Sequence, residues 1–271
     1  GYAEWAAGLL RGSAEAGADG VFLDGAMFPD GTCFCPACRA RFREETGREL
    51  RELPQDPSLW PAVERFRRES ISRYLRRMRA AQAAVNPEAI LYVNGEGTSG
   101  VYRRWGYDTR AQRDAQDILG AEGGFVYYGP AREVAPWKAS ATAKLLEAQA
   151  EGKPRVIFIA GDHKVWNRYH LTGPETTLLY AGTIANGASP WYGLHSNDLS
   201  VLDAPGPRAA RRMNAFMREH EAYLTATASA ARVALFFSTD TNAAYETREG
   251  ATDFYRGHRE VFDDEAWKLV G

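Results

Sequence analysis

Short apolar runs alternate along the chain with longer segments in which apolar residues recur every three or four positions. The short runs predict five buried β-strands, and the longer segments predict amphipathic helices between them. The predicted strands cover residues 20–24, 89–94, 117–122, 155–160 and 189–193. The predicted helices cover residues 4–16, 62–85, 102–116, 136–151, 174–186 and 208–224, and a long loop is expected at 25–61. This alternation predicts an α/β fold built on a parallel sheet.

Polar residues stand at the ends of the predicted strands, and their positions favour one of two parallel-sheet folds. Asp24, Asn94 and Glu122 close three strands, and Asp162 follows a fourth. In a (β/α)8 barrel, the carboxyl ends of the strands surround the catalytic mouth. The nucleotide-binding form of the alternative, a doubly wound sheet, carries a glycine-rich phosphate loop after a strand, and this sequence has no such loop. We therefore predict a (β/α)8 TIM barrel.

The predicted barrel is partial. Five βα units do not close a barrel of eight, so we expect residues 1–224 to form its C-terminal five units, with three strands before Gly1 and one open edge. After residue 224 the pattern changes. A linker rich in Ala, Ser and Thr at 225–230 leads into an apolar run at 231–238, which predicts a new strand. We interpret residues 225–271 as the start of a second α/β domain.

Composition narrows the class of protein. Hydrophobic residues make up 45% and charged residues 25% of the 271, which is typical of a globular chain and excludes a disordered or fibrous one. The net charge of −2 indicates no general attraction to nucleic acid or anionic lipid, and no apolar run reaches the length of a membrane span. Seven Trp and 13 Tyr can supply stacking surfaces for sugars, although a large barrel core also uses aromatic residues.

Three cysteines, Cys33, Cys35 and Cys38, form a CxCxxC motif. This spacing lets three soft thiolates surround one tetrahedral zinc ion, in a structural role because little open coordination remains. The fourth ligand would be an Asp, a His or a residue outside this sequence, and three reduced thiols without metal are the alternative. So close a cluster of odd number forms no ordinary disulfide framework, and it indicates either a metal site or reduced thiols. A cytoplasmic location is the expectation for this chain.

Two carboxylates have the setting of catalytic groups. Asp24 closes a buried strand before a glycine, and Glu122 does the same two strands later. Cleavage of a glycosidic bond uses such a pair, because one group attacks or activates water while the other protonates the leaving oxygen. In a retaining enzyme the two carboxyl groups lie about 5–5.5 Å apart. The alternatives are a loop-ordering role for Asp24 and the use of Glu96 in place of Glu122.

Further residues near the strand ends are candidates for binding the substrate. They are Asn94, Glu96, Asp162, His163, Trp166 and Trp191. The polar members could bind sugar hydroxyls, and the indole rings could stack on a pyranose. For the aromatic residues, packing in the core is an equally good explanation.

Three segments carry a resemblance to known enzymes. Residues 17–24 (GADGVFLD), the cysteine motif and residues 41–47 (RFREETG) resemble a stretch of barrel glycosyl hydrolases. These are related to the zinc-bearing β-galactosidases with a trimerisation domain and to a family of α-L-fucosidases. The similarity continues through residues 122–124, 136–138 and 181–192, and the strand at 231–238 would begin the trimerisation-like domain. The resemblance implies a TIM-barrel glycoside hydrolase with a carbohydrate substrate that assembles as a homo-oligomer.

The chain departs from the β-galactosidases at its first strand. That family carries Asn-Glu at the end of its fourth strand as the proton donor, whereas this chain has Leu23-Asp24 there. An Asp on this strand looks like the nucleophile of α-L-fucosidases and α-galactosidases. The resemblance therefore implies a retaining enzyme that removes a terminal glycosyl residue, most similar to an α-L-fucosidase or a galactosidase. Asp24 would be its nucleophile and Glu122 its general acid/base.

Two other classes remain open at this point. A metal-dependent barrel hydrolase would need His and Asp ligands at strand ends, and the usual HxH pattern is missing from the sequence. A non-catalytic carbohydrate-binding or scaffold protein would keep the aromatic platforms but would need no paired carboxylates.

Overall fold

The computed structural model describes residues 1–29, 32–52, 54, 56–95, 104–123, 137–161, 170–194 and 199–238. Its contacts divide the chain into two compact units, Gly1–Ile118 and Leu119–Phe237. Each unit contains parallel strands connected by helices.

The first unit packs a pair of parallel strands against two long helices. Its elements are α1 (Tyr2–Glu15), β1 (Gly20–Leu23), α2 (Pro36–Thr46), α3 (Trp60–Ala83), β2 (Ile90–Gly95) and α4 (Thr109–Gln112), with short 3-10 turns at Pro57–Leu59 and Arg113–Ala115. β1 pairs with β2, with Gly20 opposite Ile90 and Leu23 opposite Val93. Alternate strand residues pack on the apolar sides of α1 and α3, at Val21, Leu23, Leu91 and Val93. Because strand side chains alternate between faces, Phe22 and Tyr92 lie on the opposite face.

The second unit contains three parallel strands in chain order. Its elements are β3 (Ile118–Glu122), α5 (Lys138–Ala150), β4 (Arg155–Ala160), α6 (Gly173–Ala185), β5 (Ser189–Gly193), a 3-10 turn at Leu199–Asp203, α7 (Pro205–Glu219) and α8 (Glu221–Leu224). β4 pairs with β3 on one side and β5 on the other. The helix-covered face of β3 and β4 is apolar, with Leu119, Ala121, Ile157 and Ile159 buried in one core cluster. The alternate residues Phe158 and Trp191 lie on the other face.

The predicted α/β class is confirmed, and the arrangement of parallel strands and helices fits part of a TIM barrel. All five predicted strands are present within one residue of their expected ends. Asn94 differs slightly from the prediction, because β2 extends to Gly95 and Asn94 therefore lies inside the strand. In the part of the chain that the structure describes, no helix is both long and apolar enough to cross a membrane.

The expected long loop at 25–61 is wrong, because it contains helix α2. Pro36 occupies the first turn, where its missing N–H is not needed, and Gly47 ends the helix in a left-handed conformation at φ 70°. Phe42 is the only buried residue of α2. One buried position in 11 residues leaves no apolar periodicity, which is why the pattern of the sequence did not reveal the helix.

Three other expectations also need correction. Within the described residues from 104 onward, the helix predicted at 102–116 is interrupted after Arg104, because Gly106 takes a φ of 96°. It resumes as α4 and a 3-10 turn, and Asp108 caps the start of α4 by accepting from the N–H of Ala111. The helix predicted at 208–224 begins earlier and is interrupted at His220. Ala231 to Ser238 does not form a strand, and Val233 and Phe236 are exposed. The second domain predicted for 225–271 stays a prediction.

Candidate active site

In the first unit, the end of the strand pair brings a carboxylate and an amide together. Asp24 follows β1 directly, and the strand register places it beside Asn94 of β2. The Asn94 Nδ2 group donates a hydrogen bond to Asp24 Oδ1 at 3.1 Å. Gly25 then turns the chain away with a φ of 64°, a conformation that favours glycine. Asp24 is thus exposed to solvent, and one of its oxygens accepts a hydrogen bond from a neutral donor.

Two aromatic rings lie one register step below this pair. Phe22 and Tyr92 are opposite each other on β1 and β2, and their ring centroids are 4.9 Å apart. They share the strand face with Asp24 and Asn94, because residues two positions apart in a strand point to the same side. Phe22 is 37% exposed. This face of the first unit therefore combines a carboxylate, an amide and apolar ring surface.

In the second unit, a carboxylate and two aromatic side chains form a row across three strands. Glu122 is opposite Phe158 in the β3–β4 register, and Phe158 is opposite Trp191 in the β4–β5 register. The rings of Phe158 and Trp191 meet edge to face with centroids 4.8 Å apart. Trp191 keeps 37% of its surface exposed and Glu122 is half-buried. The row offers a flat apolar surface beside a carboxylate.

Gly193 fixes the position of the Phe158 ring. A side chain at residue 193 would overlap the ring carbons of Phe158, so only glycine leaves room for the ring in this place. Gly193 ends β5 on the same face as Trp191, two residues further along the strand. The packing of Phe158 between these two residues keeps the aromatic row in one geometry.

The three cysteines converge at the start of α2. The sulphur atoms of Cys33, Cys35 and Cys38 all lie within 4.8 Å of one another, close enough to hold one metal ion. The backbone N–H of Cys38 lowers the pKa of the exposed Cys35 thiol, and burial raises the pKa of Cys38 to about 12. Cys38 also packs against the apolar cluster of Phe42 and Phe66.

A buried arginine holds the chain just before the cysteines. Arg67 of α3 is 2% exposed, and its Nη2 group donates to the carbonyl oxygen of Thr32 at 2.6 Å. Its Nη1 group donates to the carbonyl of Arg104 at 2.9 Å, and its guanidinium lies 5.8 Å from the centre of the Phe28 ring. Because Thr32 precedes Cys33, this one side chain ties the cysteine loop to the longest helix of the first unit.

The structure describes some of the predicted site residues and not others. Asp24, Asn94, Glu122, Trp191 and the three cysteines are described above, whereas Glu96, Asp162, His163 and Trp166 lie outside the described residues. Phe22, Tyr92 and Phe158 were not among the predicted site residues. The alternation of side chains along a strand could have indicated them. Phe22 and Tyr92 each lie two residues before a predicted site residue, and Phe158 lies opposite one.

The fold of this chain is similar to that of several glycoside hydrolases. A cold-adapted β-galactosidase from Rahnella sp. R3 matches 92% of this chain and 43% of its own, at 15% identity with a TM-score of 0.70. Alpha-L-fucosidase isoenzyme 2 from Paenibacillus thiaminolyticus matches 83% of this chain and 31% of its own, at 19% identity with a TM-score of 0.57. The PgaB (BpsB) glycoside hydrolase domain from Bordetella bronchiseptica matches 75% of this chain and 58% of its own, at 14% identity with a TM-score of 0.59.

These matches establish the fold and no finer property. The chain spans 58% or less of the length of each of these three proteins. No protein-family model matches the sequence, and no curated protein matches it.

Proposed function

We propose that this chain is part of a retaining glycoside hydrolase that removes a terminal glycosyl residue, with fucosidase-like or galactosidase-like chemistry. The observation that carries the proposal is the row of Glu122, Phe158 and Trp191 across β3, β4 and β5. The apolar face of a sugar ring can stack on the exposed indole, because flat aromatic rings bury large apolar areas at little entropic cost. Glu122 then lies beside the bound sugar as a group able to move a proton. The fold likeness to β-galactosidases and a fucosidase supports the same class.

The reaction would use two carboxylates in separate roles. In the first step, an Asp24 oxygen attacks the anomeric carbon while Glu122 gives its proton to the leaving oxygen, so the glycosidic bond breaks and a glycosyl ester forms. In the second step, Glu122 takes a proton from water, and that water releases the sugar from Asp24. The hydrogen bond from Asn94 keeps one Asp24 oxygen occupied, which leaves the other oxygen to attack.

The cysteine cluster would hold a structural zinc ion. Cys33, Cys35 and Cys38 supply three soft donors at compatible spacing, and thiolate is a preferred zinc ligand. Bound zinc would supply no step of the reaction. Its contribution would be to fix the segment between β1 and α3, which has few buried residues of its own.

The test is a screen of the full chain against nitrophenyl α- and β-glycosides, with Asp24→Asn and Glu122→Gln as variants. We expect Asp24→Asn to lose all turnover, since the attacking group is gone. Glu122→Gln should lose about 10²–10⁴-fold on natural glycosides, the usual contribution of general acid catalysis. It should still release nitrophenol in the first step, because nitrophenolate leaves without protonation, whereas hydrolysis of the glycosyl ester should be slow because Glu122 is also the base of the second step.

Two results would contradict the proposal. Full activity of Glu122→Gln on a natural glycoside would remove Glu122 from the acid/base role and make Glu96 the next candidate. Saturable quenching of Trp fluorescence by free sugars without any turnover would indicate a carbohydrate-binding protein. Trp5→Phe is a matched control for the fluorescence experiment, because Trp5 is 60% exposed on α1, in the other unit from Trp191.

A further inference from the structure

The thiol cluster has a geometry that suits a second chemistry besides metal binding. Cys35 is the residue directly before the first turn of α2, and Cys38 is the third residue of that helix. Residues at these two positions are neighbours at the helix start, where in a capping box each side chain reaches the backbone N–H of the other residue. All three sulphur atoms are already within 4.8 Å. A bond of about 2 Å between the sulphurs of Cys35 and Cys38 is therefore within reach of a side-chain rotation.

The two thiols differ in their access to solvent. Cys35 is exposed, whereas Cys38 is half-buried against the cluster of Phe42 and Phe66. Cys33 is also half-buried and precedes the helix, in the loop that Arg67 holds through Thr32. A dissolved reagent therefore meets Cys35 first.

We propose that Cys35 and Cys38 form a reversible disulfide when the cluster holds no metal. The oxidant is a small dissolved disulfide such as oxidised glutathione. The Cys35 thiolate attacks one of its sulphurs, the glutathione S–S bond breaks, and one glutathione thiol leaves. The Cys38 thiolate then attacks the Cys35 sulphur and releases the second glutathione thiol. The two cysteine sulphurs lose two electrons to glutathione, and the two thiol protons end on the two glutathione thiols.

The disulfide and the metal exclude each other, because the disulfide removes two of the three donor thiolates. Metal binding would therefore protect the cluster from oxidation, and oxidation would release the metal. This proposal does not depend on glycosidase activity, since none of the three cysteines has a role in the proposed reaction.

The test uses the full chain in two forms, loaded with zinc and stripped by a chelator, each treated with oxidised glutathione. Free thiols are blocked with one alkylating reagent, and the protein is then reduced and treated with a second. All three cysteines fall in one tryptic peptide, between Arg11 and Arg39, so fragmentation of that peptide assigns each label. In the stripped form, we expect the second reagent on Cys35 and Cys38 and the first reagent on Cys33. In the zinc form, the second reagent should appear on Cys35 and Cys38 much more slowly.

Variants assign the two steps. Cys38→Ser should stop at the mixed disulfide, with one glutathione on Cys35. The matched control Cys33→Ser should oxidise like the unchanged protein, and circular dichroism checks that both variants are folded. The proposal is overturned if the stripped, folded protein keeps three free thiols. A disulfide that includes Cys33, or glutathione found only on Cys33, would overturn it as well.

Discussion

At the scale of single residues, Arg67 is a charged side chain buried in the first unit, where it is 2% exposed. A fully buried guanidinium is costly unless its donors are paired, and two of its nitrogen atoms donate to carbonyl oxygens at 2.6 and 2.9 Å. The two carbonyls belong to Thr32 and Arg104, which are far apart in sequence. One side chain of α3 therefore links two backbone positions that lie 72 residues apart along the chain.

We predict that Arg67→Met destabilises the folded protein by about 2–4 kcal/mol. The methionine fills much of the space, but it removes charge-assisted hydrogen bonds that are worth about 1.5–3 kcal/mol each. Urea unfolding followed by circular dichroism measures the change in the free energy of unfolding. Arg65→Met is the matched control, because Arg65 is exposed on the same helix and its loss should change stability by less than about 0.5 kcal/mol. Equal effects of the two variants would show that the buried hydrogen bonds contribute no net stability.

At the scale of elements, helix α6 contributes Leu179 and Tyr180 to the apolar core cluster of the second unit. It packs between the strands and α7, and its Tyr180 is 1% exposed within the apolar cluster. Thr172 and Glu175 cap the start of α6 reciprocally, with both capping hydrogen bonds present. Burial raises the pKa of Tyr180 from 10.0 to about 12, although the side chain of Asn214 on α7 acts in the opposite direction.

This shift predicts a specific loss of stability in alkaline solution. Between pH 10 and pH 12, the unfolded chain has lost the Tyr180 proton while the folded chain keeps it. The folded state then binds more protons than the unfolded state, so the free energy of unfolding falls as pH rises through this window. Tyr180→Phe should reduce that fall by about 1 kcal/mol per pH unit. Urea unfolding at a series of pH values measures the slope.

Tyr223→Phe serves as the control for the alkaline series, because Tyr223 is 81% exposed on α8. Its slope should equal that of the unchanged protein. Tyr74, whose pKa is also raised to about 12 by burial, remains in both variants and accounts for part of the residual slope. An unchanged slope in Tyr180→Phe would mean that Tyr180 ionises in the folded state as it does in a peptide.

At the scale of the whole molecule, the proposed retaining chemistry has a consequence that is measured on the intact chain. A retaining mechanism passes through two displacements at the anomeric carbon, so the released sugar keeps the configuration of the substrate. We predict that proton NMR of the first product, recorded before mutarotation, shows the substrate's own anomer. The opposite anomer would indicate an inverting enzyme, in which Asp24 activates water instead of attacking the sugar.

The sequence by itself determined the class of fold and the strands. β4 is apolar from Val156 to Ala160, so both of its faces are apolar. A short continuous apolar run of this kind is typical of a strand in a parallel sheet. Proline at the first turn likewise located the start of α6 within one residue. Such local patterns depend only on neighbouring residues along the chain, so they predict an element without knowledge of the tertiary structure.

Only the tertiary structure decided which of the candidate residues meet. The contact between Asp24 and Asn94 depends on the register of β1 with β2, and the contact between Phe158 and Trp191 depends on the register of β4 with β5. Helix α2 was also invisible in the pattern, since Phe42 is its only buried residue and packs on residues from other segments of the chain. Register and packing join residues that are far apart in sequence, and no local pattern of apolar and polar positions encodes those pairings.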